Sequence, residues 1–265
     1  MYSPFQLAKK YLQYFFAASN GKGHGIHSPF VFEFVKFVKN DRKKYPAYKE
    51  IEQARKRLLS NNSDIEVEDF GAGSGIIKTK TRKISAIAAS SLKPKKFSQL
   101  LHRMVQYYGA ENVLELGTSF GITTSYLASA DNHPQVATME GSKNIAAIAQ
   151  QNFTSLGLQN IQLIQGDFSK TLTPFLQENK KIDFAFLDGN HRKIPTLEYF
   201  EQILQSSHNE TIFIFDDIHW SKEMEAAWEI IKQHLSVTLT IDLFFIGIVL
   251  LRKDFMERQH FTIRF

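Results

Sequence analysis

The sequence predicts an α/β fold: a doubly wound, mostly parallel seven-stranded sheet with a C-terminal antiparallel hairpin and an N-terminal helical cap. Three observations carry that expectation. From Val113 onward, short apolar runs alternate five times with amphipathic segments, the signature of consecutive βα units. Each of the five runs ends at or beside a carboxylate, so the same rim of the sheet collects acidic side chains. The front of the chain instead shows helical periodicity and a basic balance. Residues 1–100 carry 19 Lys+Arg against 8 Asp+Glu, a net +11, while residues 101–265 carry 13 against 19, a net −6. That shift predicts a basic, helical cap and substrate region over 1–96 and a ligand-binding domain over 97–265.

The bulk composition narrows the classes. An apolar share of 43%, with 13% aromatic residues, is ample for the core of one large domain with a smaller addition. The absence of cysteine excludes disulfides, a thiolate nucleophile and a cysteine zinc site. No signal-peptide pattern is expected at the front, and no run approaches the roughly 20 apolar residues of a membrane span. The expected compartment is the cytoplasm. The basic front half reads either as a solvated face or as a platform for something anionic.

Taken in order, Phe5, Ala8, Tyr11, Leu12, Phe15 and Phe16 recur at helical spacing, predicting an amphipathic helix that packs on the body. Its aromatics with Lys9 and Lys10 keep peripheral membrane contact open. Gly21–Pro29 is a glycine loop carrying His24 and His27, candidates for the substrate side. Pro29 suits the first turn of a helix reaching about Val38. Residues 41–60 read as a charged helix. Asp69-Phe70-Gly71-Ala72-Gly73-Ser74-Gly75 resembles a second cofactor loop, but only a scrap of strand precedes it. It reads as a substrate loop or a structural turn, followed by lysine-rich segments around an alanine- and serine-rich helix.

A helix from Phe97 leads into Val113-Leu114-Glu115-Leu116-Gly117-Thr118-Ser119-Phe120-Gly121, a strand, a tight turn and a helix start. The Gly-x-x-x-Gly spacing weakens both dinucleotide and P-loop readings. An acidic residue two before the first glycine suits a positively charged ligand, and S-adenosylmethionine (SAM) is one. Strands are then expected at Gln135–Met139, Ile161–Ile164, Ile182–Leu187 and Thr211–Phe215, with helices between and after them. Val237–Ile241 and Phe245–Arg252 form the hairpin at the sheet edge.

Ligands bind at the carboxyl ends of such strands. Glu140, 19 residues after Gly121, can accept hydrogen bonds from two ribose hydroxyls. Asp167 and Phe168 can pair with and stack on an adenine, although aspartate after glycine is also a common turn. Asp216 and Asp217 are adjacent, so both can face one ion only where the chain leaves strand geometry; otherwise one of them caps a turn. Trp220 and His219 are expected on the substrate side, and Trp228 in the core.

These stretches, together with Asp183–His191 and Phe215–Trp220, resemble class I SAM-dependent methyltransferases. Among those they are similar to the metal-dependent O-methyltransferases of the catechol, caffeoyl-CoA and macrolide-sugar type, over roughly residues 97–252. The resemblance implies SAM held by Glu115, Gly117, Thr118, Ser119, Gly121, Thr123, Glu140, Gly141, Asp167, Phe168 and Asp188. It implies Mg²⁺ or a similar hard ion on Asp188, Asp216 and Asp217, with His191 in the position of the base. The acceptor is then a small-molecule hydroxyl. Two other readings stay open: an RNA methyltransferase using the basic front half, not favoured because no RNA-binding module is visible, and a non-catalytic SAM-binding module. A homo-oligomer is compatible with the sequence.

Overall fold

The computed structural model describes residues 1–19, 28–69, 78–253, 255 and 257–265. In chain order these form α1 (Pro4–Ala17), α2 (Pro29–Glu33) running on as a π-helical turn over Phe34–Lys39, α3 (Ala47–Ser60), β1 (Asp64–Asp69), β2 (Lys78–Lys83), α4 (Ile84–Ser91) and α5 (Lys95–Tyr107). The alternating part follows as β3 (Asn112–Leu116), α6 (Ile122–Ala128), β4 (Gln135–Glu140), α7 (Lys143–Ser155), β5 (Ile161–Gln165), α8 (Phe168–Glu178), β6 (Ile182–Leu187), α9 (Lys193–Leu204), β7 (Ser207–Asp216) and α10 (Lys222–Gln233). The tail adds β8 (Leu239–Asp242), β9 (Ile246–Leu250) and β10 (Gln259–Thr262). The fold is α/β with mostly parallel strands, as expected.

The chain divides into two compact units, residues 42–177 and residues 1–41 with 178–265. The expected front segment 1–96 is therefore split between them. In the first unit β3, β4 and β5 are parallel neighbours in that order, and α7 packs on β4 and β5. Residues 42–96 share its core: Tyr48, Ile51 and Leu58 of α3 and Ile84 and Ile87 of α4 pack with Phe120, Ile122 and Tyr126 of the glycine stretch. They are not all helical. β1 and β2 form an antiparallel ladder from Asp64↔Lys83 to Asp69↔Lys78, where only a scrap of strand was expected. The residues between, 70–77, lie outside the described part, and so does the expected role of that glycine loop.

In the second unit β6 and β7 are parallel, β7 pairs antiparallel with β9, and β9 with β8. The predicted hairpin is present, but it is not the edge. β10 adds to β8 in parallel, which makes eight strands besides the β1–β2 ladder among the described residues, instead of seven. Tyr14 of α1 and Ala18 just after it pack on Phe244, with Leu7, Tyr11 and Phe245 around them. Trp228 is 1% exposed, and its ring lies over Gly247 so closely that a Cβ there would meet it at 2.6 Å.

Candidate functional site

The glycine stretch turns as its sequence requires. Gly117, Ser119 and Gly121 all have positive φ, 108°, 48° and 77°, and the Gly117 and Thr118 amides donate to the Met139 carbonyl at 3.0 and 3.1 Å. Gly121 has no alternative: a Cβ there would lie 2.3 Å from the Phe153 ring. Thr118 and Thr123 are buried beside it.

Glu140 ends β4, and its two oxygens accept from the Ser119 amide and the Ser142 amide, both at 2.9 Å. Burial raises its pKa above the ordinary carboxylate range, opposed by the Ser142, Ser119 and Gly141 amides. The turn at Ser119 is thereby tied to the strand end that the sequence assigns to the ribose. Ser119 Oγ also meets Ser91 Oγ at 2.8 Å, so α4 borders the same loop.

Glu115 is placed differently from an open ligand-facing carboxylate. It is fully buried; Oε2 accepts from Thr138 Oγ1 at 2.6 Å and from Thr124 Oγ1. Burial pushes its carboxyl up to about 7 against the pull of both threonines. Thr138 sits directly opposite Glu115 in the β3–β4 register, a partner that the strand pattern alone could have revealed. Asp167 caps α8, its Oδ1 accepting from the Ser169 amide at 3.0 Å, and Phe168 beside it is half-buried.

The other unit holds the second group. Asp188 follows β6, His191 lies in the turn after it, and Asp216 ends β7. One ligand atom from each of the three lies within 4.8 Å of the others, and no other such group of His, Asp or Glu occurs among the described residues. His191 Nε2 is 3.7 Å from Asp188 Oδ1. Asn190 and Asp217 both adopt left-handed backbone, φ 58° and 53°, which bends the two loops away from their strands. The chain thus leaves strand geometry at Asp217, yet the close group contains His191 and not Asp217. Two carboxylates and an imidazole suit a divalent cation, and an imidazole donor accommodates Mn²⁺, Fe²⁺ or Zn²⁺ more readily than an all-oxygen Mg²⁺ cage does.

A cavity of about 540 Å³ opens beside His191, lined also by Tyr2, Gln6, Arg192, Trp220 and Lys222. Of the four residues expected on the substrate side, Trp220 lines it. His219 is engaged elsewhere: Nε2 meets Asp242 Oδ2 at 2.7 Å and Nδ1 meets Glu225 Oε1 at 3.1 Å, with the ring stacked on Phe244. Burial pulls the His219 pKa down, but these two carboxylates outweigh it and leave it raised. Tyr2 and Arg192 carry no sequence signal, because a lone tyrosine or arginine becomes a cavity wall only through distant contacts. His24 and His27 lie outside the described residues.

Comparisons with known proteins place the chain beside methyltransferases. Residues 114–218 match a family model described as a methyltransferase domain. A catechol O-methyltransferase of Niastella koreensis is 33% identical over 126 residues, covering 46% of this chain and 55% of that protein. The chain spans about half the length of the curated relatives it matches. Among solved structures, the SAH-bound Podospora anserina methyltransferase PaMTH1 superposes with a TM-score of 0.59 at 14% identity, covering 96% of this chain and 98% of that one. The Bacillus cereus O-methyltransferase in complex with SAH gives 0.55 at 22% identity, covering 81% and 94%. At these identities the superpositions establish a shared fold.

Proposed function

We propose that this chain, whose residues 114–218 match a family model described as a methyltransferase domain, transfers the methyl group of SAM to a hydroxyl oxygen of a small molecule with the help of a divalent cation. The observation that carries the reading is the meeting of Asp188, His191 and Asp216 within 4.8 Å, at the ends of two strands of such a domain. The 33% identity to a catechol O-methyltransferase supports the choice of oxygen as the acceptor atom.

Methyl transfer breaks the bond from sulfonium sulfur to carbon and forms one from carbon to oxygen, so the acceptor hydroxyl must lose its proton. Asp188 and Asp216 would hold the cation, which would lower the acceptor pKa and fix its orientation. Glu140 would hold the ribose, with its oxygens already aligned by the Ser119 and Ser142 amides. Asp167 and Phe168 would meet the adenine. Trp220, Arg192 and Lys222 would contact the acceptor in the cavity beside His191. His191 has two available roles that exclude each other at one nitrogen. As a cation ligand it would complete the trio; as general base it would take the acceptor proton, and Asp217 would complete the trio instead.

The test is a calorimetric titration of SAM with and without Mg²⁺ or Mn²⁺, on the wild type, Asp188→Ala, His191→Ala and Asp217→Ala. SAM binding with a cation response that Asp188→Ala abolishes is the expected result. No SAM binding at all would sink the proposal, and binding indifferent to cations would leave methyl transfer without its metal.

A further inference from the structure

Helix α1 has two apolar faces, and only one of them is used. Leu7, Tyr11, Tyr14 and Ala18 turn towards the body, where Tyr11 and Tyr14 meet the Phe244 ring at 5.1 and 5.3 Å. Lys10 holds Glu225 at 2.9 Å, and the Tyr14 hydroxyl donates to the Ile263 carbonyl, so this face is fixed by polar bonds as well. At 3.6 residues per turn, Phe5, Leu12 and Phe16 fall on the opposite side. They are 80%, 54% and 75% exposed. An amphipathic surface helix normally shows water a polar face there.

The excess is local. Among the described residues, four of the twelve exposed large apolar side chains lie on this one helix: Phe5, Leu12, Phe15 and Phe16. Scattered exposed apolar residues need no explanation, but this concentration does. Each aromatic group also has a cation beside it. Lys9 lines, with Phe5, Ala8, Leu12, Gln13 and Phe16, a shallow concavity of about 490 Å³. Arg264 lies 4.6 Å over the Phe15 ring. Helix α1 itself has two lysines and no acidic residue.

We propose that the outer face of α1 docks on an anionic lipid surface. Phenylalanines enter the boundary between headgroups and acyl chains while neighbouring cations meet lipid phosphates, and this face offers both kinds of side chain and no acid to repel the bilayer. A second copy of the chain is a poorer match, since two such faces bring Lys9 against its copy with no acidic residue of the helix to offset them. The proposal is independent of the methyl-transfer reading.

Flotation of the full chain with vesicles tests it, using phosphatidylcholine alone and phosphatidylcholine doped with phosphatidylserine. Binding is expected on the doped vesicles, weak on the neutral ones and reduced by salt. Phe5→Ser/Phe16→Ser should cut it by roughly tenfold or more, and Lys9→Glu by a smaller factor, with melting temperature unchanged because all three side chains are exposed. No flotation on doped vesicles, or flotation indifferent to these substitutions, would overturn the proposal. So would a wild-type dimer in sedimentation velocity that Phe5→Ser/Phe16→Ser dissolves, since it would assign the face to a second copy.

Discussion

The carboxylates of residues 42–177 and those of residues 178–265 stand at equivalent strand ends but behave differently. Glu115, Glu140 and Asp167 are each met by the protein's own donors, two threonine hydroxyls, two backbone amides and one backbone amide respectively. Asp188 and Asp216 instead converge with His191 into a group whose ligand atoms lie within 4.8 Å. A carboxylate at a strand end is therefore not yet a ligand. What separates the two sets is whether a second acidic group and a histidine bring ligand atoms close to the same point.

The largest expected effect falls on the glycine turn beside the first group. Gly121→Val should lose SAM binding and destabilise the fold by about 3 kcal/mol or more, because φ is +77° and the new Cβ would strike Phe153. Calorimetry and denaturant melts would measure the two losses. A variant that binds SAM normally would break the assignment of this loop.

Next come the converging residues. Asp216→Ala should reduce cation-dependent turnover by roughly 100-fold or more, while stability changes far less. His191→Ala and Asp217→Ala sharpen the contrast. If the close trio is the cation set, His191→Ala weakens Mn²⁺ binding and Asp217→Ala leaves it nearly intact. The reverse pattern would return Asp217 to the set and His191 to proton transfer.

A third effect tests how the protein tolerates Glu115. Its folded pKa of about 7 stands above the ordinary 4.5. Stability tied to the protonated form is therefore fully present below 4.5 and lost as pH rises through about 7. That shift corresponds to about 3 kcal/mol. Glu115→Gln should flatten this dependence in urea melts between about pH 4 and about pH 8. An unchanged slope would show that the carboxylate is better stabilised than its burial implies.

The smallest effect is expected at Lys10, whose partly exposed pair with Glu225 is screened by solvent. Lys10→Ala should change stability by less than about 1 kcal/mol. A larger loss in thermal melts would mean that the Tyr2, Lys10 and His219 bonds to Glu225 act as one unit.

The βα alternation was legible because apolar periodicity is a local property, and every predicted strand from Val113 to Phe215 is present within a few residues. The β1–β2 ladder was not legible. Lys78–Lys83 contains no apolar residue, so nothing in Lys-Thr-Lys-Thr-Arg-Lys signals a strand. Ile65 and Val67 alternate with acids in β1, and that short pattern was the one available clue. β10 escaped for the same reason, with Phe261 as its single large apolar residue.

The sequence by itself determined the order of strands and helices, the glycine turn at Gly117 and Gly121, and the presence of acidic residues at strand ends. Each depends on neighbours a few positions away. Only the tertiary structure decided which acids turn inward to threonines and which gather with a histidine. Asp188 and Asp216 are separated by a whole helix and strand. Whether their oxygens meet depends on the parallel register of β6 and β7 and on left-handed turns at Asn190 and Asp217, which long-range packing holds in place.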